Sequence, residues 1–223
     1  NFYGSNEGIC LLSNQQTAPS PEQRASMFPR LGAAGLPWSG GAFDFAATKV
    51  VDPDSGEIID TPGVAGELLI NGPTIFDGYF NHTQRGEVFS NDGYFRTGDL
   101  VEICGDPPHH YRIVGRCKDI INRGGVKISP SELDQLLEGF TGLKEAAVCA
   151  YTDSHLGEKV CACAVPMDDS APPTLAELCE FLTQLGIAKY KLPERLEILA
   201  ELPRNPMNKV MRSALRRVVE QSR

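Results

Sequence analysis

The sequence predicts a mixed α+β protein: its first half is almost entirely strand and turn, and its second half alternates strands with helices. Three observations carry this. Short apolar-rich runs, bounded by Gly- and Pro-bearing turns, recur up to about residue 117. Apolar residues at helical spacing appear only beyond that point. The charge changes at the same place, from 7 basic and 14 acidic side chains in 1–117 to 14 and 15 in 118–223. The boundary falls near Gly115–Asp119, giving a β-rich part over 1–117 and an α+β part over 118–223.

The elements follow in order. Residues 9–40 are rich in Gly, Pro, Ser and Gln and are expected to be loop. Trp38 and Phe43 are expected to pack rather than line a pocket. Phe43–Asp52 should form a strand ending in the turn Pro53-Asp54-Ser55-Gly56. Gly66–Gly72 (GELLING), Tyr94–Phe95, Leu100–Ile103 and Tyr111–Arg116 add further strands, and a small barrel-like or curled sheet accommodates them. In the second half Ser129-Pro130 opens a helix over 131–137. Strands follow at 145–153 and 159–167, the latter placing Cys161 and Cys163 on one face. Thr174, with Glu177 three residues on, starts a helix through Leu185 that Gly186 stops. The last helix runs from Asn208 to about Gln221, with Val210, Met211, Leu215, Val218 and Val219 at helical spacing.

Composition narrows the function. At 41% apolar and 22% charged residues the chain is globular rather than disordered, and its 223 residues suffice for one large core or two ordinary ones. No apolar run approaches the roughly 20 residues of a membrane span. The net charge of −8 disfavours nucleic acid and anionic membranes as partners. The final twenty residues hold six basic side chains against Glu220, and Arg212, Arg216 and Arg217 are expected on a solvated helix face. The seven Cys include no C-x-x-C pair and suit free thiols in a reducing cytoplasm. Of the four His (82, 109, 110 and 155), the adjacent His109 and His110 should point to opposite faces, which argues against joint metal ligation.

Five strings carry chemistry: YGSNEG at 3–8, GELLINGPTIFDGYFN at 66–81, YFRTGDL at 94–100, GRCKDIINRGGVKISPSELD at 115–134 and LPRNPMNKVMR at 202–212. Each alone is an ordinary turn or surface segment. In this order and spacing they resemble the adenylate-forming (ANL) superfamily of acyl- and aryl-CoA synthetases, peptide-synthetase adenylation domains and firefly luciferase. The resemblance runs from Tyr3 to Arg212. It implies a ligase that joins a carboxylic acid to the α-phosphate of ATP, releases pyrophosphate, and then lets a thiol displace AMP. The first step needs alignment and charge neutralisation rather than a general base, because a carboxylate is already a nucleophile.

The resemblance also implies roles. Tyr3 would lie against adenine, with Gly4, Ser5 and Asn6 in the nucleotide-binding turn and Asn6 replacing the family's usual Thr. Glu7 would hold Mg²⁺. Asp99 would accept hydrogen bonds from the ribose hydroxyls, with Arg116 beside it. Lys118 would be the hinge about which 118–223 rotates between half-reactions, and Gly124 and Gly125 would line the tunnel for the CoA thiol arm. Lys209 would be the catalytic lysine at the α-phosphate, although Asn205 and Asn208 replace a usual Thr and Gly.

In these terms 1–117 is the last β-rich subdomain of the large adenylation domain and 118–223 the mobile small domain, a three-stranded sheet with helices. The family's Gly-rich loop ending in Pro-Lys, which grips the β- and γ-phosphates, is not in this sequence. The expectation is therefore the C-terminal part of a longer cytoplasmic CoA synthetase, inactive in adenylation by itself. The RGGVKISPSELD string favours CoA ligases. A stand-alone aryl-acid AMP ligase loading a carrier protein, or a non-catalytic module, is the alternative.

Overall fold

The computed structural model describes residues 1–222 except 9, 34, 39, 41 and 81–87, and gives Ala42 and Phe43 by backbone only. Asn81, His82 and the Phe43 side chain therefore lie outside the described residues. The chain divides into two units, Asn1–Cys117 and Lys118–Arg223.

In the first unit, β1 (Phe2–Gly4) and β2 (Cys10–Leu12) form a small antiparallel pair. A five-stranded antiparallel sheet has the order β3-β7-β6-β5-β4, with β3 at Met27–Pro29, β4 at Ala47–Val51, β5 at Ala65–Asn71, β6 at Phe95–Cys104 and β7 at His110–Arg116. Among the described residues no pairing joins β3 to β4, so the sheet is open rather than closed into a barrel. Its core gathers Leu11, Phe28, Leu68, Ile70, Phe95, Val101, Ile103 and Tyr111.

The stretch expected as loop holds β2, β3 and a helix, α1 (Pro21–Ser26). That helix has a full capping box: Ser20 Oγ accepts from Gln23 N while Gln23 Oε1 accepts from Ser20 N. The start of the expected 43–52 strand is instead α2 (Ala42–Phe45). Trp38 packs, its indole N–H donating to Arg30 O at 2.7 Å and its ring edge-on to His110.

In the second unit, β8 (Ile121–Arg123), β9 (Val126–Ile128), β10 (Leu143–Asp153) and β11 (Gly157–Pro166) run in the order β10-β11-β8-β9, and β12 (Arg195–Ile198) pairs in parallel with β11. The three strands expected are thus extended by the β8–β9 hairpin. The period of two in β10 and β11 sorts their side chains between two cores. Val148, Ala150, Val160, Ala162 and Ala164 face Leu133, Leu137, Leu178 and Leu182 of α3 (Pro130–Leu137) and α4 (Leu175–Gln184). Cys149, Cys161 and Cys163 face Leu215 and Val219 of α5 (Arg212–Gln221).

Helix α5 starts four residues later than its apolar spacing predicts. Asn208 sits at φ +63° and Arg204 pairs with Val210 as a β-bridge, so 205–208 is a turn. All seven Cys are unbridged, and of them Cys10 alone is exposed. No helix is long and apolar enough to cross a membrane among the described residues.

Candidate functional site

Two constellations stand out, one in each unit. In the first, Asp99 on β6 and Arg116 on β7 are directly opposed across the ladder. Arg116 Nε lies 2.8 Å from Asp99 Oδ1, and Tyr3 OH donates to Asp99 Oδ2 at 2.5 Å. The Asp99 side chain is 16% exposed and that of Arg116 51%, so the ion pair opens to solvent on the arginine side. Burial, reinforced by the neighbouring carboxylate, pushes the Tyr3 phenol far above its ordinary range, so Tyr3 stays a donor. Two oxygens offer about four acceptor positions, of which Tyr3 and Arg116 take two. Asp99 therefore keeps acceptor capacity for two further donors.

Tyr3 leads into the turn Gly4–Gly8. Gly8 lies at φ +96°, and a Cβ there would fall 1.8 Å from Thr74 O, so only glycine fits. The Thr74 hydroxyl donates to Gly8 O at 3.0 Å, and Phe76 N to Glu7 O at 3.0 Å, pinning the turn to the 72–76 segment. Gly4, Ser5 and Asn6 are exposed. Tyr79 OH donates to Glu7 Oε1 at 2.7 Å, and hydrogen bonds from Ser5 and Tyr79 hold the Glu7 carboxyl below its usual range. Tyr79 lies within a quoted string but received no role from sequence. Its hydroxyl is the partner that the turn's only acid requires.

In the second unit Lys118 is exposed in a 3₁₀ turn, Cys117–Asp119. Gly124 and Gly125 are the two-residue tip of the β8–β9 hairpin, with φ of +57° and +90°. Both left-handed angles suit a tight hairpin whose twist matches its strands. Gly124 N–H donates to Leu156 O at 2.9 Å.

Lys209 sits on an exposed loop built by Asn205. The Asn205 Oδ1 accepts from Met207 N at 3.0 Å and from Lys209 N at 2.9 Å, while Asn205 N–H donates to Lys209 O at 2.9 Å. Asn208 takes the left-handed conformation that asparagine tolerates, and the Arg204 guanidinium donates to its carbonyl at 2.8 Å. The two substituted positions thus shape the loop by side-chain acceptance and left-handed tolerance.

The arginines expected at the tail surface differ from one another. Arg217 is exposed. Arg216 pairs with Glu158 at 2.7 Å, and Arg212 pairs with Asp134 at 2.6 Å. Charge runs read from sequence miss such partners because they lie 58 and 78 residues away.

Residues 132–209 match the family model for the AMP-binding enzyme C-terminal domain. The whole chain is similar to the crystal structure of ATP-bound MatB from Rhodopseudomonas palustris, with a TM-score of 0.76 and 28% identity, covering 99% of this chain and 40% of that one. The chain belongs to the adenylate-forming (ANL) superfamily. Among its ANL relatives, the 2,3-dihydroxybenzoate-AMP ligase of Bacillus subtilis (strain 168) is 36% identical over 161 residues, 72% of this chain and 29% of that protein. The salicyl-AMP ligase / salicyl-S-ArCP synthetase of Mycobacterium tuberculosis (strain H37Rv) is 38% identical over 168 residues, 75% of this chain and 29% of that protein. The chain thus spans about three-tenths of the length of the curated relatives it matches.

Proposed function

We propose that this chain is the C-terminal part of an ATP-dependent ligase that converts an aromatic carboxylic acid to its acyl-adenylate and passes the acyl group to a carrier-protein thiol. The observation that carries the adenylation reading is the Asp99 carboxylate, fixed between Tyr3 and Arg116 with acceptor capacity to spare. A ribose offers two adjacent hydroxyl donors of the kind that capacity suits. The aryl-acid and carrier-protein parts rest on the names of the dihydroxybenzoate-AMP and salicyl-S-ArCP relatives. They displace CoA as the leading acceptor. CoA stays as the second reading because of the RGGVKISPSELD string at 123–134.

In this reading Tyr3 flanks the adenine while its hydroxyl orients Asp99, and Arg116 holds the same carboxylate from the other side. The turn Gly4-Ser5-Asn6 lies along the phosphates, with Ser5 and Asn6 as hydrogen-bonding groups. Lys209 approaches the α-phosphate and neutralises the charge that develops as the acid's carboxylate attacks and pyrophosphate leaves. Rotation of 118–223 about Lys118 then withdraws Lys209 and brings Gly124 and Gly125 beside the thiol arm, which displaces AMP. Mg²⁺ fits the donor set. No group of three or more metal-ligating side chains gathers among the described residues, and one partly exposed Glu7 is how that ion is commonly held when phosphate oxygens and waters complete its shell. Bound there, it would neutralise phosphate charge.

The test is ATP–pyrophosphate exchange by the full-length protein against a panel of hydroxybenzoic acids, followed by thioester formation on a holo-carrier protein or on CoA. Exchange that depends on an aromatic acid, with thioester on the carrier, is expected. Exchange with no acid of the panel would overturn the aryl-acid reading, and thioester on CoA alone would overturn the carrier reading.

A further inference from the structure

The Arg212 guanidinium gathers partners from three separate elements. Its Nη2 lies 2.6 Å from Asp134 Oδ2 and 3.3 Å from Ser131 Oγ, both on α3. Its Nη1 donates to Val148 O of β10 at 2.7 Å. Its Nε lies 3.6 Å from Asp119 Oδ2, in the 3₁₀ turn that also holds Lys118. Asp134 Oδ1 accepts from Val148 N at 2.7 Å and closes the network on itself. Only a planar fork with five donors can serve these positions at once. Arg212 also opens α5, where a positive charge opposes the helix dipole, so helix stability does not explain a cation there.

We infer that Arg212 is a positioning residue that ties the loop carrying Lys209 to the linker turn carrying Lys118, so that both lysines belong to one rigid body. Lys209 lies three residues before Arg212 on the same short connection, and Asp119 adjoins Lys118. Arg204 anchors the entry of the Lys209 loop, through Asn208 O and Glu145 Oε2, both at 2.8 Å. Arg212 anchors its exit and also reaches the linker turn, as Arg204 does not. The consequence for catalysis rests on the function proposed above; the mechanical link does not.

Hydrogen exchange followed by mass spectrometry on the chain tests the link without any activity. Arg212→Lys keeps the charge but loses the fork, and should speed exchange at 117–122 and at 205–211 together by roughly tenfold, the size expected when a charged hydrogen-bonding partner is lost. Arg204→Met should speed 205–211 while leaving 117–122 unchanged. Asp119→Asn should speed 117–122 alone, by about threefold.

Linker exchange that stays at the wild-type rate in Arg212→Lys overturns the proposal. Should that variant fail to fold, an unchanged linker in Asp119→Asn overturns it equally. In the full-length protein Arg212→Lys should lower kcat for adenylation about tenfold with KM for the acid nearly unchanged, the split expected when a catalytic group is misplaced. Arg212→Met should fall further, so that lysine partly rescues. If Lys209→Ala leaves adenylation intact, the functional reading fails while the exchange result still decides the link.

Discussion

The Asp99 site and the Lys209 loop solve opposite problems. Around Asp99 the carboxylate is sheltered and its two partners are in place before any ligand arrives, so its orientation is fixed while acceptor capacity remains for a ligand. At Lys209 the backbone is arranged, by Asn205 and Asn208, but the side chain points into solvent with no ion pair among the described residues. A group that binds one fixed part of a ligand gains from being held still, since little ordering entropy is left to lose. A cation that must serve one step and leave for the next gains from having no other partner.

The largest expected effect breaks the second half of that contrast. Lys209→Ala in the full-length protein should slow adenylation by about 10²–10³, the usual loss when one charge-stabilising group is removed. It should largely spare thioester formation from supplied acyl-adenylate. Its unfolding free energy in urea should change by no more than the roughly 0.5 kcal/mol typical of surface changes. Partial-reaction kinetics beside an unfolding curve would show this, and equal loss in both steps would count against separate states.

Asp99→Ala should instead cost both properties, because it strands the partly buried Tyr3 hydroxyl. A loss of about 1–3 kcal/mol in stability is expected, with AMP affinity falling in parallel by titration calorimetry. Tyr3→Phe is the finer probe. It removes the donor and leaves the carboxylate its ion pair, so about 1 kcal/mol should be lost. An unchanged AMP affinity in Tyr3→Phe would mean that the hydroxyl does not orient Asp99.

The smallest effect concerns acid. Asp153 accepts from the backbone N–H groups of His155 and Leu156 and faces Lys159, which lowers its pKa to about 2 from 3.8. A depressed carboxyl stabilises the fold above the unfolded value and loses that contribution as pH falls toward 2. Asp153→Asn should therefore flatten the thermal-melt dependence on pH between about 4 and 2.

Local signals in the sequence were reliable where the structure is local. The Thr174–Glu177 capping box is present with both its bonds, Glu177 N to Thr174 Oγ1 at 3.3 Å and Thr174 N to Glu177 Oε2 at 2.7 Å. The alternation that placed Cys161 and Cys163 on one face also holds. Helix α1 shows that composition can mask such a signal: Ser20-Pro21-Glu22-Gln23 is a capping box inside a stretch whose Gly and Pro content suggests loop. The late start of α5 escaped apolar spacing because an Asn205-centred turn overrides it, and turn chemistry of this kind competes directly with helix.

At the candidate site, the β6–β7 ladder sets Asp99 opposite Arg116, and a hydrogen bond joins Tyr3 to Asp99 across 96 residues of chain, which no periodicity encodes. Their neighbourhood was anticipated only through the resemblance. The partners of Arg212 all come from 64 or more residues away and carry no signal in the sequence.

The distribution of thiols makes one site on this protein chemically addressable. Burial pushes the Cys104, Cys117 and Cys179 thiols up, Cys117 to about 11, and Cys149, Cys161 and Cys163 are enclosed beneath α5. That leaves Cys10, exposed on β2 and directly across the strand pair from Gly4. A maleimide dye should therefore attach there first, beside the turn proposed to bind nucleotide, and on that proposal its emission would report the arrival of a nucleotide in real time with the native sequence left intact.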